Sequence, residues 1–478
     1  MEDKKNNISR RGFLKVMGAG ATVAAGAAVA SCAPKKDAQY DPAGHHTTEV
    51  PVGQMTYRTN PTTGDKVSLL GYGCMRWPTL PQPDANGNII DQERVNELID
   101  YAMAHGVNYY DTAPVYVQAQ SERATGIALK RHPRESFYVA TKMSNQRFAG
   151  QGLSPQELLK RSQEMYYNSF KELQIDYIDY YLLHSIGGGS GIPLLMERFF
   201  DNGMLDFLVK EKEAGRIRNL GWSFHGDVAV FDYMLQLHDE GKYKWDFVQI
   251  QMNYLDWTHA KETNPRNVNA EYLYGELAKR NIPCTIMEPL LGGRLSNVPN
   301  HIVARLKQQE PENSVASWAF RYIGSKPAVL TVLSGMTYME HLEDNLRTYA
   351  PLEPLTDEEQ QWLENETATL IKSYPTIDCN DCKYCMPCPY GLDIPAIFVH
   401  YNKCVNTGNV PESQQAENYQ KARRAFLVGY DRSVPRLRQA NHCIQCRECI
   451  PHCPQQIDIP RELQRIDRFV EQLKQGTL

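Results

Sequence analysis

Eight of the twelve cysteines fall in two runs near the C-terminus, Cys379-x2-Cys382-x2-Cys385-x2-Cys388-Pro389 and Cys443-x2-Cys446-x2-Cys449-x3-Cys453-Pro454. Disulfide pairing has no use for three successive thiols at that interval, and zinc sites use C-x2-C pairs without needing a third cysteine. Thiolates in this pattern point to iron–sulfur chemistry. The runs are also an internal duplication, since CPYGLDIP at 388–395 mirrors CPQQIDIP at 453–460. Cys404 lies outside the pattern and reads as structural or a free thiol.

A second group of chemical residues closes apolar runs earlier in the chain. Asp111 and Tyr116 lie in VNYYDTAPVY, Lys142 ends FYVATKM, and His184 ends YIDYYLLH. Taken singly, a carboxylate can cap a helix, a lysine can snorkel, and a histidine can sit satisfied in a core. On three successive strand ends they read as one site. A phenol beside an ammonium paired to a carboxylate can give a proton to a carbonyl oxygen, and an imidazole can orient that oxygen.

The elements that must position these residues alternate. Strand-like runs are Ser68–Cys74, Val107–Asp111, Phe137–Thr141, Ile178–Leu183, Ile217–Ser223, Phe247–Gln251, Cys284–Glu288 and Val329–Ser334, after a short hairpin near Met55–Lys66. Helical periodicity fills the gaps, as in Gln92–His105 and Pro155–Leu173. Eight strands with helical crossovers over roughly 290 residues predict an α/β (β/α)8 barrel. A doubly wound sheet would want a glycine-rich dinucleotide turn after its first strand, and Gly71-Tyr72-Gly73 is too short for one. The organisation predicted is a signal segment 1–31, a tether 32–54, the barrel 55–352, a linker helix 353–375 opened by Thr-x-x-Glu capping at Thr356, and a final mainly helical unit 376–478. The glycine-rich stretch 187–191 reads as a flap over the barrel mouth, with Trp257 as a candidate lining residue.

DTAPVY, ATKM and LLH at these strands resemble the aldo/keto reductase family. The resemblance implies a catalytic tetrad of Asp111, Tyr116, Lys142 and His184, acting on a small carbonyl or alcohol substrate with NAD(H) or NADP(H). It also implies Ser223 and Gln249 at the nicotinamide carboxamide and Asp344 and Asn345 at the adenosine end. The chain departs from the family where an asparagine is expected after the serine (Phe224), where a tyrosine stacks on the nicotinamide (Met287), and where cations hold a 2′-phosphate (Gly335 and His341). The second cysteine run matches the bacterial ferredoxin spacing, and the first is one residue shorter before its last cysteine. By the cross-over rule of those proteins, Cys379, Cys382, Cys385 and Cys453 hold one [4Fe–4S] cluster, and Cys388, Cys443, Cys446 and Cys449 the other. An oxidoreductase linked to an electron carrier or redox partner protein follows; the alternative is an electron-transfer or binding subunit whose barrel is a non-catalytic scaffold. Hydride is a two-electron step and each cluster passes one electron, and no flavin fingerprint is present to divide the pair.

The first residues read as an address. Ser9-Arg10-Arg11-Gly12-Phe13-Leu14-Lys15 before an Ala/Gly/Val run matches a twin-arginine export signal, and Val29-Ala30-Ser31-Cys32 resembles a lipobox overlapping an Ala28-Val29-Ala30 cleavage site. The expected location is periplasmic, or lipid-anchored through Cys32 at the outer face of the cytoplasmic membrane. Residues 1–31 carry a net +3 within an overall −5, so the remainder is acidic and offers no basic patch for nucleic acid. No apolar run is long enough for an internal membrane span.

Overall fold

The structure is a computed structural model that describes residues 49–263 and 266–478. The export signal, Cys32 and most of the tether lie outside the described residues.

An antiparallel hairpin, β1 (Tyr57–Thr59) and β2 (Lys66–Ser68), precedes eight parallel strands. These are β3 (Leu70–Gly73), β4 (Tyr109–Asp111), β5 (Tyr138–Met143), β6 (Ile178–Ile186), β7 (Ile217–Phe224), β8 (Phe247–Gln251), β9 (Cys284–Met287) and β10 (Val329–Ser334). They follow one another around the ring, and β10 pairs with both β3 and β9 to close the barrel. Closure leaves no sheet edge. Val67 of the hairpin joins the residues packed inside it.

The crossover helices form for local reasons. In Pro155–Leu173, Ser154 accepts from the Glu157 N–H at 3.2 Å, proline occupies the first turn, and left-handed Gln174 ends the helix. Leu158, Met165, Tyr166 and Leu173 are buried along one face. Each such Leu or Met stabilises the fold by about 1.5–3 kcal/mol relative to exposure. Strands β5 and β6 run past their expected ends, so Lys142 and His184 lie within strands. The expected linker helix runs from Asp357 to Lys372, opened by a complete Thr356–Glu359 capping box, with a π-helical turn over Leu363–Thr367 between Asp357–Trp362 and Ala368–Lys372.

Beyond it lie helices Ile394–Asn406, Tyr419–Ser433 and Ile459–Gln475, packed through Ile397, Phe398, Phe426, Ile466 and Leu473 into a core separate from that of the barrel. Among the described residues no strand follows Ser334.

Candidate active site and cysteine sets

Tyr109, Ala140, Tyr180, Leu182 and Phe247 fill the barrel interior. Residues two apart on a strand share a face, so the next inward positions are Asp111, Lys142, His184 and Gln249, and Ser223 is the inward position after Gly221. The site is the layer above the apolar plug, at the C-terminal ends of the strands.

Lys142 is fully buried, with Nζ 2.5 Å from Asp111 Oδ1 and donating to the Thr112 carbonyl at 2.7 Å. Gln249 Nε2 donates to the other Asp111 oxygen at 3.2 Å. Burial raises the Asp111 carboxyl and Lys142 opposes that rise. Lys142 lies over the Tyr116 ring, 4.8 Å from its centroid, and Tyr116 meets the His184 ring edge-on at 5.9 Å. Burial, and after it the Asp111 charge, push the Tyr116 hydroxyl well above its ordinary value, so the phenol is held protonated.

His184 is held neutral by burial and then by Lys142 and Arg198. Its Nδ1 is 2.5 Å from Ser144 Oγ, a residue two beyond Lys142 on the same face of the chain. Arg198, from a π-helical turn at Met196–Phe200, is buried and donates to the carbonyls of His184 at 2.5 Å and Ser185 at 3.1 Å and to Asn145 Oδ1 at 3.0 Å. These bonds fix the backbone where β6 bulges and Ser185 takes a positive φ of 50°. Sequence reasoning missed both residues; the two-residue alternation after Lys142 was the available signal for Ser144, and none pointed to Arg198.

A cavity of about 710 Å³ runs from Asp111, Tyr116, His184, Ser223 and Gln249 past Met287 to Asp344 and Asn345. The residues expected at both ends of a dinucleotide therefore line one space. Ser223 Oγ accepts from the Ser185 N–H at 2.7 Å, Asp344 accepts from Ser314 Oγ at 2.7 Å, and Asn345 donates to Ser334 Oγ at 2.7 Å. Phe224 points the other way, packed on Trp222 and Phe231, and the next residue, His225, lines the cavity instead. Burial lowers His225 to about 4, leaving it neutral. The glycine-rich stretch is not a flap over this cavity: Gly187 packs on Phe224 and the His225 carbonyl. Trp257 packs on Tyr274 and Tyr322. The mouth is lined instead by Cys382, Tyr384, Pro454 and Gln455.

The cysteines divide into two neighbourhoods. Cys379, Cys382 and Cys385 lie within electrostatic reach of Cys453, and Cys443 and Cys449 within reach of Cys388 and Cys446; Cys385 also reaches Cys449, so the two groups adjoin. Cys388, Cys443, Cys446 and Cys449 line a cavity of about 200 Å³, and Cys385 lines it with them. Backbone conformation repeats between the runs: Asp381 and Lys383, and correspondingly Gln445 and Arg447, have φ between 49° and 64°. That turn aims N–H groups at sulfur, the Asp381 N–H at Cys379 Sγ (3.4 Å) and the Gln445 N–H at Cys443. Among the described residues no three His, Cys, Asp or Glu side chains converge on a single metal ion.

Outside the cavity, buried Glu122 accepts from Thr141 Oγ1 at 2.6 Å, and burial raises its carboxyl from 4.5 to about 7. A raised carboxyl contributes stability that is full below the unfolded value and lost as pH rises through the folded one, a change of about 3 kcal/mol between pH 4.5 and 7. Glu122→Gln is therefore expected to match the parent in melting temperature near pH 4.5 and to exceed it by a growing margin up to pH 8. A constant difference across that range would refute the assignment.

The sequence model described as "Aldo/keto reductase family" matches residues 69–365. The chain is 25% identical over 314 residues to "Uncharacterized oxidoreductase YqkF" of Bacillus subtilis (strain 168), covering 63% of this chain and 93% of that protein. It is 25% identical over 314 residues to "NADH-specific methylglyoxal reductase" of Escherichia coli (strain K12), covering 60% and 90%. Among solved structures, the holo form of aldo-keto reductase AKR11C1 from Bacillus halodurans superimposes with a TM-score of 0.50 at 24% identity, over 65% of this chain and 95% of that one. With a closed eight-stranded barrel and a family match over more than half its length, the chain belongs to the aldo/keto reductase family and is an oxidoreductase.

Proposed function

We propose that the protein reduces a small carbonyl compound, or oxidises the corresponding alcohol, in the barrel cavity, with Tyr116 as the general acid or base. The observation that carries this reading is the buried cluster of Asp111, Tyr116, Lys142 and His184, of which Asp111, Tyr116 and His184 line a cavity of about 710 Å³ that also reaches Asp344 and Asn345. A nicotinamide dinucleotide, which members of this family use, supplies the hydride when bound. Ser223 and Gln249 would hold its carboxamide end, and Asp344 and Asn345 its adenosine end. Gly335 and the His341 imidazole, kept neutral by burial, offer no charge to a 2′-phosphate, which favours NAD(H) over NADP(H).

The substrate carbonyl oxygen is oriented by His184. With Ser144 assigned as donor to Nδ1, the proton sits on Nε2 and faces that oxygen. As negative charge grows there, Tyr116 transfers its proton, and the Lys142 ammonium over its ring steadies the phenolate.

The cysteine sets would hold two [4Fe–4S] clusters, which supply one-electron transfer. The nearness of the two runs' cysteines to one another, the 200 Å³ space lined by Cys388, Cys443, Cys446 and Cys449 together with Cys385, and the N–H groups aimed at sulfur support this reading. One set borders the barrel cavity and the other lies farther out, which suits exchange with an external electron carrier. The Arg10-Arg11 pattern supports a location outside the cytoplasm, and the lipobox-like sequence before Cys32 supports a lipid anchor there; loss of membrane association in Cys32→Ala tests the anchor.

The full chain, purified without oxygen, is expected to contain about eight iron and eight sulfide per chain and to oxidise NADH in the presence of methylglyoxal as a probe carbonyl. Zinc in place of iron would sink the cluster assignment. Iron without nucleotide binding or turnover would return the barrel to a scaffold.

A further inference from the structure

The barrel cavity borrows part of its wall from the cysteine-rich segment. Cys382 and Tyr384 from one run, and Pro454 and Gln455 after Cys453 of the other, line it together with Asp111, Tyr116 and His184. The segment is clamped in that position. Arg76, just after β3, pairs with Asp381 at 3.0 Å and donates to the Asn380 carbonyl at 2.7 Å. Arg294 pairs with Asp378 at 2.7 Å. Gly292, at φ +67°, approaches the Asn380 carbonyl so closely that a side chain there would collide with backbone. Contacts on the N-terminal side of Cys382, with the left-handed turn at Lys383, fix the direction in which Tyr384 leaves the chain.

Tyr384 keeps 38% of its surface exposed, yet it lines the same cavity as Tyr116, and a hydrogen bond from it opposes the rise that burial imposes on the Tyr116 hydroxyl. That contact matters because Lys142 lies over the Tyr116 ring and gives its hydrogen bonds to Asp111 and Thr112. A phenol that loses its proton leaves an oxyanion, and a donor already aimed at that oxygen favours the charged form.

We propose that Tyr384 is a positioning residue of the barrel site, its hydroxyl holding that of Tyr116 in line for proton transfer, so that the cysteine-rich segment is an integral part of the catalytic cavity. This rests on the reading of Tyr116 as the proton donor. It makes the barrel incomplete without the C-terminal unit, although the family match ends at residue 365.

The test compares the full chain with Tyr384→Phe and Tyr116→Phe, all purified without oxygen. The readouts are kcat and KM for methylglyoxal, glyceraldehyde and benzaldehyde with NADH, the NADH dissociation constant, iron content and melting temperature. Tyr384→Phe is expected to lower kcat about tenfold, the loss of one hydrogen bond to a charge, while KM, NADH affinity, iron and melting temperature stay at parent values. A purely structural role would move the melting temperature or iron content and leave kcat per folded molecule unchanged, and that result overturns the proposal. If Tyr384→Phe does not fold, Tyr384→Met supplies the same comparison. Parent activity in Tyr384→Phe beside an inactive Tyr116→Phe overturns this inference alone. Full activity in Tyr116→Phe, or no turnover of any probe by the parent, overturns the proposed function and this inference with it.

Discussion

Tyr116→Phe is expected to lower kcat by about 10²–10⁴-fold, the usual contribution of a positioned general acid. The variant keeps the ring, and with it the contacts to Lys142 at 4.8 Å and to His184 at 5.9 Å, so the barrel should fold and melt as the parent does. Residues proposed to hold the dinucleotide are untouched, and NADH affinity should be unchanged. The loss should fall on the chemical step, visible as a slow decay of nicotinamide absorbance in a single turnover. Direction matters as well. Burial and the Asp111 charge hold the phenol protonated, so carbonyl reduction should be nearly flat with pH through neutrality, whereas alcohol oxidation, which needs the phenolate, should rise with pH. An unchanged single-turnover rate would remove Tyr116 from the mechanism.

The fold was legible because its signals are local. Phe247–Gln251 and Val329–Ser334 are strands over the expected residues, and Pro155–Leu173 begins at a serine cap and proline and ends where expected. The inward alternation that fills the barrel with Tyr109, Ala140 and Leu182 also delivers Asp111, Lys142 and His184, so a two-residue period carried both core and site. The rest depended on contacts between distant parts of the chain. Arg76 meets Asp381 across 305 positions, and no motif joins Tyr384 to Tyr116. Gly187–Gly191 suggested a flap by composition, but Phe224 packs outward beneath it and the mouth is taken by the cysteine-rich segment. His225 escaped notice because alignment by family pattern assigns the position to Phe224, while the bulge in β6 beside the end of β7 accompanies the inward turn of the following residue.

Lys142→Met should be the most destabilising single change in the site. The ammonium is fully buried and is the counter-charge to an Asp111 carboxylate whose side chain is 4% exposed. Removing it leaves a carboxylate with one amide donor, Gln249, in a low-dielectric interior, and breaking a buried pair from one side costs about 3–5 kcal/mol. The stranded carboxylate then takes up a proton more readily than in the unfolded chain. The sign follows: Lys142→Met should be nearest the parent at low pH and fall further behind as pH rises, because the folded variant must give up a proton it prefers to keep. Adding Asp111→Asn removes the stranded charge, so the double variant should recover much of the loss, a non-additivity expected for residues in direct contact. Urea unfolding followed by tryptophan fluorescence between pH 5 and 8 reads all three forms. A loss below about 1 kcal/mol, the range of an exposed ion pair, or a double variant no more stable than Lys142→Met, would mean that Lys142 and Asp111 do not form the buried pair on which the proton chemistry of Tyr116 depends.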